Sequence, residues 1–131
     1  MALNYYAEFH GLVSRVVLIE VETMNLGGDD PSGILTASDV ELGLAASKHS
    51  PRLLQAFVEQ TAHKIVIKGY EPNVQGVVKN FLTITLTQAR ISSYRMGAVW
   101  KGKVRDTLHL TFATLDYDFV ETGTDYIWQV A

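Results

Sequence analysis

From Asn80 to Ser93 the chain reads NFLTITLTQARISS, and its apolar residues follow a regular pattern. Leu82, Ile84 and Leu86 hold one parity and Thr83, Thr85 and Thr87 the other, the period-2 alternation of a strand with one buried face. The β-branched residues between Thr83 and Ile91 suit a pleated, half-buried surface. After Thr87 the parity flips: Ala89 and Ile91 become the apolar positions, while Gln88 and Arg90 take the polar ones. A strand that changes its buried face midway bends at a bulge or passes from one sheet to another. Thr107 to Val120 repeats this behaviour, with Leu108, Leu110 and Phe112 on one parity and Leu115, Tyr117 and Phe119 on the other. Two long antiparallel strands that both switch faces predict a closed or corner-turning sheet, a barrel or an orthogonal sandwich.

The rest of the chain supplies its neighbours. Leu3, Tyr5, Ala7 and Phe9 alternate with polar or amphipathic residues as far as His10, and Arg15 to Thr23 reads as a second strand after the break at Gly11. Asn25 to Gly33 (NLGGDDPSG) is rich in turn formers and predicts an exposed loop. Ile34 to Ala46 is extended, with Val40, Leu42 and Leu44 on one face. Ser50 as N-cap and Pro51 in the first helical position open a helix to about Gln60, with an apolar stripe of Leu53, Leu54, Phe57 and Val58. That helix is expected to lie outside the sheet and cover part of it. Lys64 to Tyr70 is a strand joined to the central stretch by a turn at Glu71 to Gly76. Arg95 to Lys103 is expected as a loop, and Tyr126, Trp128 and Val130 alternate in a short last segment. Repeats, low-complexity tracts and linkers are absent from the sequence, so the expectation is one domain over 1–131.

Composition removes several classes of function. The chain has 131 residues, 47% of them hydrophobic and 19% charged, a globular balance. A net charge of −3 gives nucleic-acid binding no support. With no cysteine, thiol nucleophiles, disulfides and Cys-ligated metals are excluded. Neither a membrane-length apolar run nor a cleavable secretion signal is visible. His10, His49, His63 and His109 lack metal-ligand spacing, and Asp116 and Asp118 share the polar face of a strand, so no metal site is expected. The glycine-rich loop lacks a phosphate-loop ending, and no serine sits in a nucleophile context. No catalytic residue and no cofactor are expected.

Charge is unevenly placed. Val16 to Ser47 carries Glu20, Glu22, Asp29, Asp30, Asp39 and Glu41 and no Lys or Arg. Arg90 to Arg105 carries Arg90, Arg95, Lys101, Lys103 and Arg105 and no acid. The segments are either two solvated faces or the two halves of a head-to-tail contact between copies, which closes into a ring or runs on as a filament. On the second reading, reversing Lys101 and Lys103 to Glu weakens assembly and leaves the fold intact.

Three ordered blocks carry a family resemblance. Ser50-Pro51-Arg52-Leu53-Leu54 resembles the helix opening of the Hcp tube proteins of type VI secretion systems. Phe81 to Thr87 followed by Ile91-Ser92-Ser93 is similar to that family's long strand. Arg105 to Ala113 with Tyr117 is similar to its next segment, with Asp106 where the family carries Glu. The resemblance implies a mainly β fold: a small antiparallel β-barrel of two curved sheets with one flanking α-helix. It implies a homo-hexameric ring, stacked into the inner tube of a contractile injection machine with sheath and spike proteins as partners, and small effectors in the lumen. It also implies a cytoplasmic protein, without direct membrane insertion, exported through the machine itself. The loop from Asn25, with Gly27, Gly28, Asp29 and Asp30, is by position the ring-stacking contact, and Arg95, Lys101, Lys103 and Arg105 are the candidate basic contact. A phage-type tail tube and a monomeric small-ligand-binding barrel are the alternatives.

Overall fold

The computed structural model describes residues 4–12, 16–27, 39–72, 76, 78–98, 104–120 and 122–129. Its strands are β1 (Asn4–His10), β2 (Val16–Gly27), β3 (Asp39–Ala45), β4 (His63–Pro72), β5 (Val78–Ala98), β6 (Val104–Thr111), β7 (Thr114–Phe119) and β8 (Thr124–Gln129), and its helix is α1 (Ser50–Glu59). All ladders are antiparallel. Following them from β4 through β1, β2, β3 and β6 to β5 returns to β4, because β4 and β5 also pair. The circuit is a closed six-strand barrel. β7 continues the sheet from β5, and β8 ends it.

The parity flip at Gln88 explains this geometry. Gln88 has φ 49°, and the β4–β5 register jumps from Ile65 opposite Leu86 to His63 opposite Ala89. One residue bulges out, so Leu82, Ile84 and Leu86 before it and Ala89 and Ile91 after it all point inward. At this bulge β5 changes partners on one side, from β7 over Thr83 to Thr87 to β6 from Arg90 onward. The expected single strand from Thr107 to Val120 is two strands. It breaks at Phe112 and Ala113 opposite the bulge, where the Ala113 amide donates to the Thr87 carbonyl. The flip of parity is thus real, and its cause is a corner.

The inward residues fill the barrel. Leu42, Leu44, Ile67, Ile84, Leu86, Leu108 and Leu110 are at most 1% exposed. Among the described residues the interior is filled by side chains, which weighs against the alternative of a ligand-binding barrel.

Other boundaries differ from the pattern. β2 runs on to Gly27, so Asn25 and Gly27 belong to a strand paired with β3 and not to a loop. β5 reaches Ala98, so Arg95 is also in a strand, because β6 pairs along it to Val104. Residues 34–38 lie outside the described residues. α1 begins at Ser50 with His49 in the cap position, and the Ser50 hydroxyl turns away from the helix end. The apolar stripe is rotated as well. Leu53 and Ala56 are buried and Phe57 stacks on Tyr94, while Leu54 and Val58 are 46% and 69% exposed. Packing against β5, with Phe57 on Tyr94, fixes that rotation. The helix ends on Gln60 at φ 52°, held by its own Nε2 donating to the Ile91 carbonyl and by Arg90 Nε donating to its carbonyl.

Candidate functional site

Where the chain's charges fall depends on register. Thr23, Gly43, Thr107 and Arg95 form one row across β2, β3, β6 and β5, and Asn25, Glu41, His109 and Ser93 form the next. Leu42, Leu44, Leu108 and Leu110 take the inward positions between them, so both rows lie on the outer face. Arg95 and Asn25 therefore share one surface. Gly43 in the first row is where β2 and β3 come close, since a Cβ there would collide with Thr23 Oγ1.

On this surface the acidic and basic segments meet within the chain. Arg105 Nε donates to Glu22 Oε1 at 3.0 Å, and His109 Nε2 lies 3.4 Å from Glu41 Oε2. Both are solvent-facing pairs and contribute little to stability. Their consequence is for assembly: Arg105 and Glu22 already neutralise each other in one copy. Gly28, Asp29, Asp30, Lys101 and Lys103 lie outside the described residues.

A buried polar node lies at the end of the barrel where α1 begins. Asp106 takes an inward position with Leu108 and Leu110 and is fully buried. Ser50 Oγ donates to its Oδ2 at 2.5 Å and the Tyr94 hydroxyl donates to its Oδ1 at 2.7 Å. Ser50 Oγ also accepts from the Ser47 amide at 2.9 Å. Burial, with Asp106 as acceptor, holds the Tyr94 proton well above the ordinary phenol range. No cation completes the node among the described residues, so these two donors do the work of stabilising a buried carboxylate. The node ties helix, β5 and β6 together, and with them the three blocks that carry the family resemblance. The sequence holds one sign of it, a carboxylate on the apolar parity of a strand.

The β7–β8 hairpin is a second acidic place and a different one. Asp118 pairs directly with Asp125, and Asp116 is two residues along on the same face. Asp116 Oδ1 is closed off from solvent without a donor. A hydrogen bond shared with Asp125, then burial, then the charges of Asp125 and Asp118 push the Asp116 carboxyl up to about 6. Sequence reasoning places Asp116 and Asp118 on one solvated face but does not bring Asp125 to them. The opposite face of the hairpin turns Leu115 into the core and packs Trp128 edge-on against Phe112. Tyr126 and Ile127 remain 71% and 59% exposed.

Two shallow clefts of about 210 and 180 Å³ open on the outside of the barrel, lined in the larger case by Arg52, Gln55, Glu59 and His63. Neither gathers a catalytic constellation, and no group of ligands for a metal ion occurs among the described residues. No described helix is long and apolar enough to cross a membrane.

Solved structures share this architecture. The chain superposes on secreted protein Hcp3 from Pseudomonas aeruginosa with a TM-score of 0.86, at 16% identity over 99% of each chain. Hcp1 from Salmonella typhimurium gives 0.81 at 14% identity, covering 98% of this chain and 96% of that one. A type VI secretion system effector from Yersinia pestis gives 0.75 at 18% identity, covering 96% and 99%. Comparison with curated protein sequences returns no match. The family profile described as type VI secretion system effector, Hcp, matches residues 15–119, which is most of the chain and all three blocks, and the protein therefore belongs to the Hcp family.

Proposed function

We propose that this chain is, as a single domain, a structural tube subunit whose copies join head to tail into six-membered rings. The rings stack into the inner tube of a type VI secretion machine, with its sheath and spike as further partners and effectors carried in the lumen. The protein is held in the cytoplasm before firing and leaves through the machine. The observation that carries this reading is the family match over residues 15–119 on a barrel that fills its own interior. Surface chemistry supports it. Val16, Leu18, Met96, Tyr126 and Ile127 are each more than half exposed on the isolated subunit, which is apolar area that association covers. Light scattering with negative-stain imaging of the same peak tests the reading. Six-fold rings or stacks of rings are expected, and a clean monomer at 14.5 kDa overturns it.

A further inference from the structure

The outer face of the β7–β8 hairpin gathers charge of one sign. Asp118 and Asp125 are direct cross-strand partners, and Asp116 lies two residues along on the same face, opposite Ile127. Like charges placed opposite each other on a sheet repel. Asp116 Oδ1 is also closed off from solvent without a donor. An ionised carboxylate with an enclosed, unpartnered oxygen is costly, and a proton held between Asp116 and Asp125 supplies the missing donor.

No cation answers this cluster from the described residues packed against it. β5, the other neighbour of β7, sets Thr83, Thr85 and Thr87 opposite Asp118, Asp116 and Thr114. On β8 the remaining residues of this face are Ile127 and Gln129. One strand further, on β4, Lys68 shares the row of Thr83 and Asp118, but Glu8 already holds it at 2.9 Å. The sequence carries no Lys or Arg after Arg105. The carboxyl of Asp116 accordingly keeps its proton up to about 6, against an ordinary 3.8.

The way β8 is attached decides where the repulsion is released. β8 lies outside the six-strand circuit and pairs only with β7. Trp128, edge-on to Phe112, is its single half-buried residue. β8 can therefore leave without opening the barrel. Its departure takes Asp125 away from Asp116 and Asp118, which stay on β7, so local opening relieves the repulsion across the ladder.

We infer that the hairpin is a proton latch: a proton shared by Asp116 and Asp125 holds β8 on β7, and its loss loosens β8 while the barrel stays closed. The latch belongs to one subunit and does not depend on the ring. Its sign follows from linkage. Once β8 opens, Asp116 returns to its ordinary value, so between about 3.8 and 6 opening releases a proton. β8 is held most tightly below about 3.8, loosens as pH rises to about 6 and changes no further above that.

The test is amide hydrogen exchange of the full chain across this pH range, expressed as protection factors so that the intrinsic pH dependence of exchange is removed. Light scattering at each pH keeps the comparison within one assembly state and reads the ring separately. Protection of the β8 amides is expected to fall roughly tenfold or more between about pH 4 and about pH 6.5, then level off, while β4 and β6 hold theirs. Asp116→Asn keeps a donor beside Asp125 and removes the titration, so β8 protection is expected to stay high and flat with pH. Asp125→Asn is expected to flatten the profile in the same way. Protection of β8 that ignores pH in the unsubstituted protein overturns the latch, and so does a parallel fall in every strand. A pH dependence that survives in either variant assigns the titration to another group and overturns it as well.

Discussion

Asp106 and Asp116 are carboxylates on consecutive strands, and the molecule treats them in opposite ways. Asp106 is fully buried and receives two hydroxyl donors, Ser50 and Tyr94, from helix and strand. Asp116 is only half-buried, yet one of its oxygens finds no donor and its neighbours are two more carboxylates. Depth alone does not decide what a buried acid costs. Donors within reach decide it, and they exist at the barrel end because three separate elements meet there, whereas the hairpin is two strands reaching past the barrel.

The largest effect is expected at Asp106. Asp106→Ala removes the acceptor that the Ser50 and Tyr94 hydroxyls donate to, and a loss of about 3–5 kcal/mol is expected in denaturant unfolding. Tyr94→Phe should cost less, since Ser50 remains. A result near zero for Asp106→Ala would mean that the node merely tolerates the charge.

In the hairpin the corresponding substitution is Trp128→Ala. Removing its edge contact with Phe112 is expected to cost about 1–2 kcal/mol. Amide exchange in β8 should accelerate while β4 and β6 stay protected. Uniform acceleration across all strands would make the hairpin part of one cooperative unit with the barrel.

Asp116 gives the next effect, through pH. Its folded value of about 6 lies above the ordinary 3.8, so between these limits the folded protein binds a proton that the unfolded chain releases. Stability from this group is therefore full below about 3.8 and is lost as pH rises through about 6. Asp116→Asn removes the repulsion at neutral pH, so the variant is expected to melt higher at pH 7 and to show a flatter Tm between pH 4 and 6. A parallel pair of pH profiles would show that Asp116 does not titrate in this window. Smallest of all is Arg105→Gln, which breaks the exposed pair with Glu22 and is expected to change stability by less than about 1 kcal/mol. A larger loss would mark the pair as a structural clasp.

Much of this contrast cannot be read along the chain. The parity flip after Thr87 announces a bulge, and Gln88 supplies it in a left-handed conformation. A flip does not say whether the strand bends or stops: β5 bends and continues, while its neighbour breaks into β6 and β7. The Asn25 and Arg95 segments read as loops because their residue types favour turns, and ladders with β3 and β6 hold them extended. Ser50 reads as an N-cap because its type favours that position, and a buried carboxylate offers its hydroxyl a stronger bond.

By itself, the sequence determined which residues alternate, where the helix starts and stops to within a turn, the absence of thiol chemistry, and the ordered blocks of the Hcp family. These are local properties, set by period, residue type and spacing. Only the tertiary structure decided that the sheet closes and that Glu22 and Arg105 neutralise each other within one chain. It also decided that Asp106 meets Ser50 and Tyr94 and that Asp125 is brought to Asp116 and Asp118 across the β7–β8 ladder. Each of these depends on pairing between residues distant in sequence, and register across strands is fixed by how the whole sheet buries its inward face.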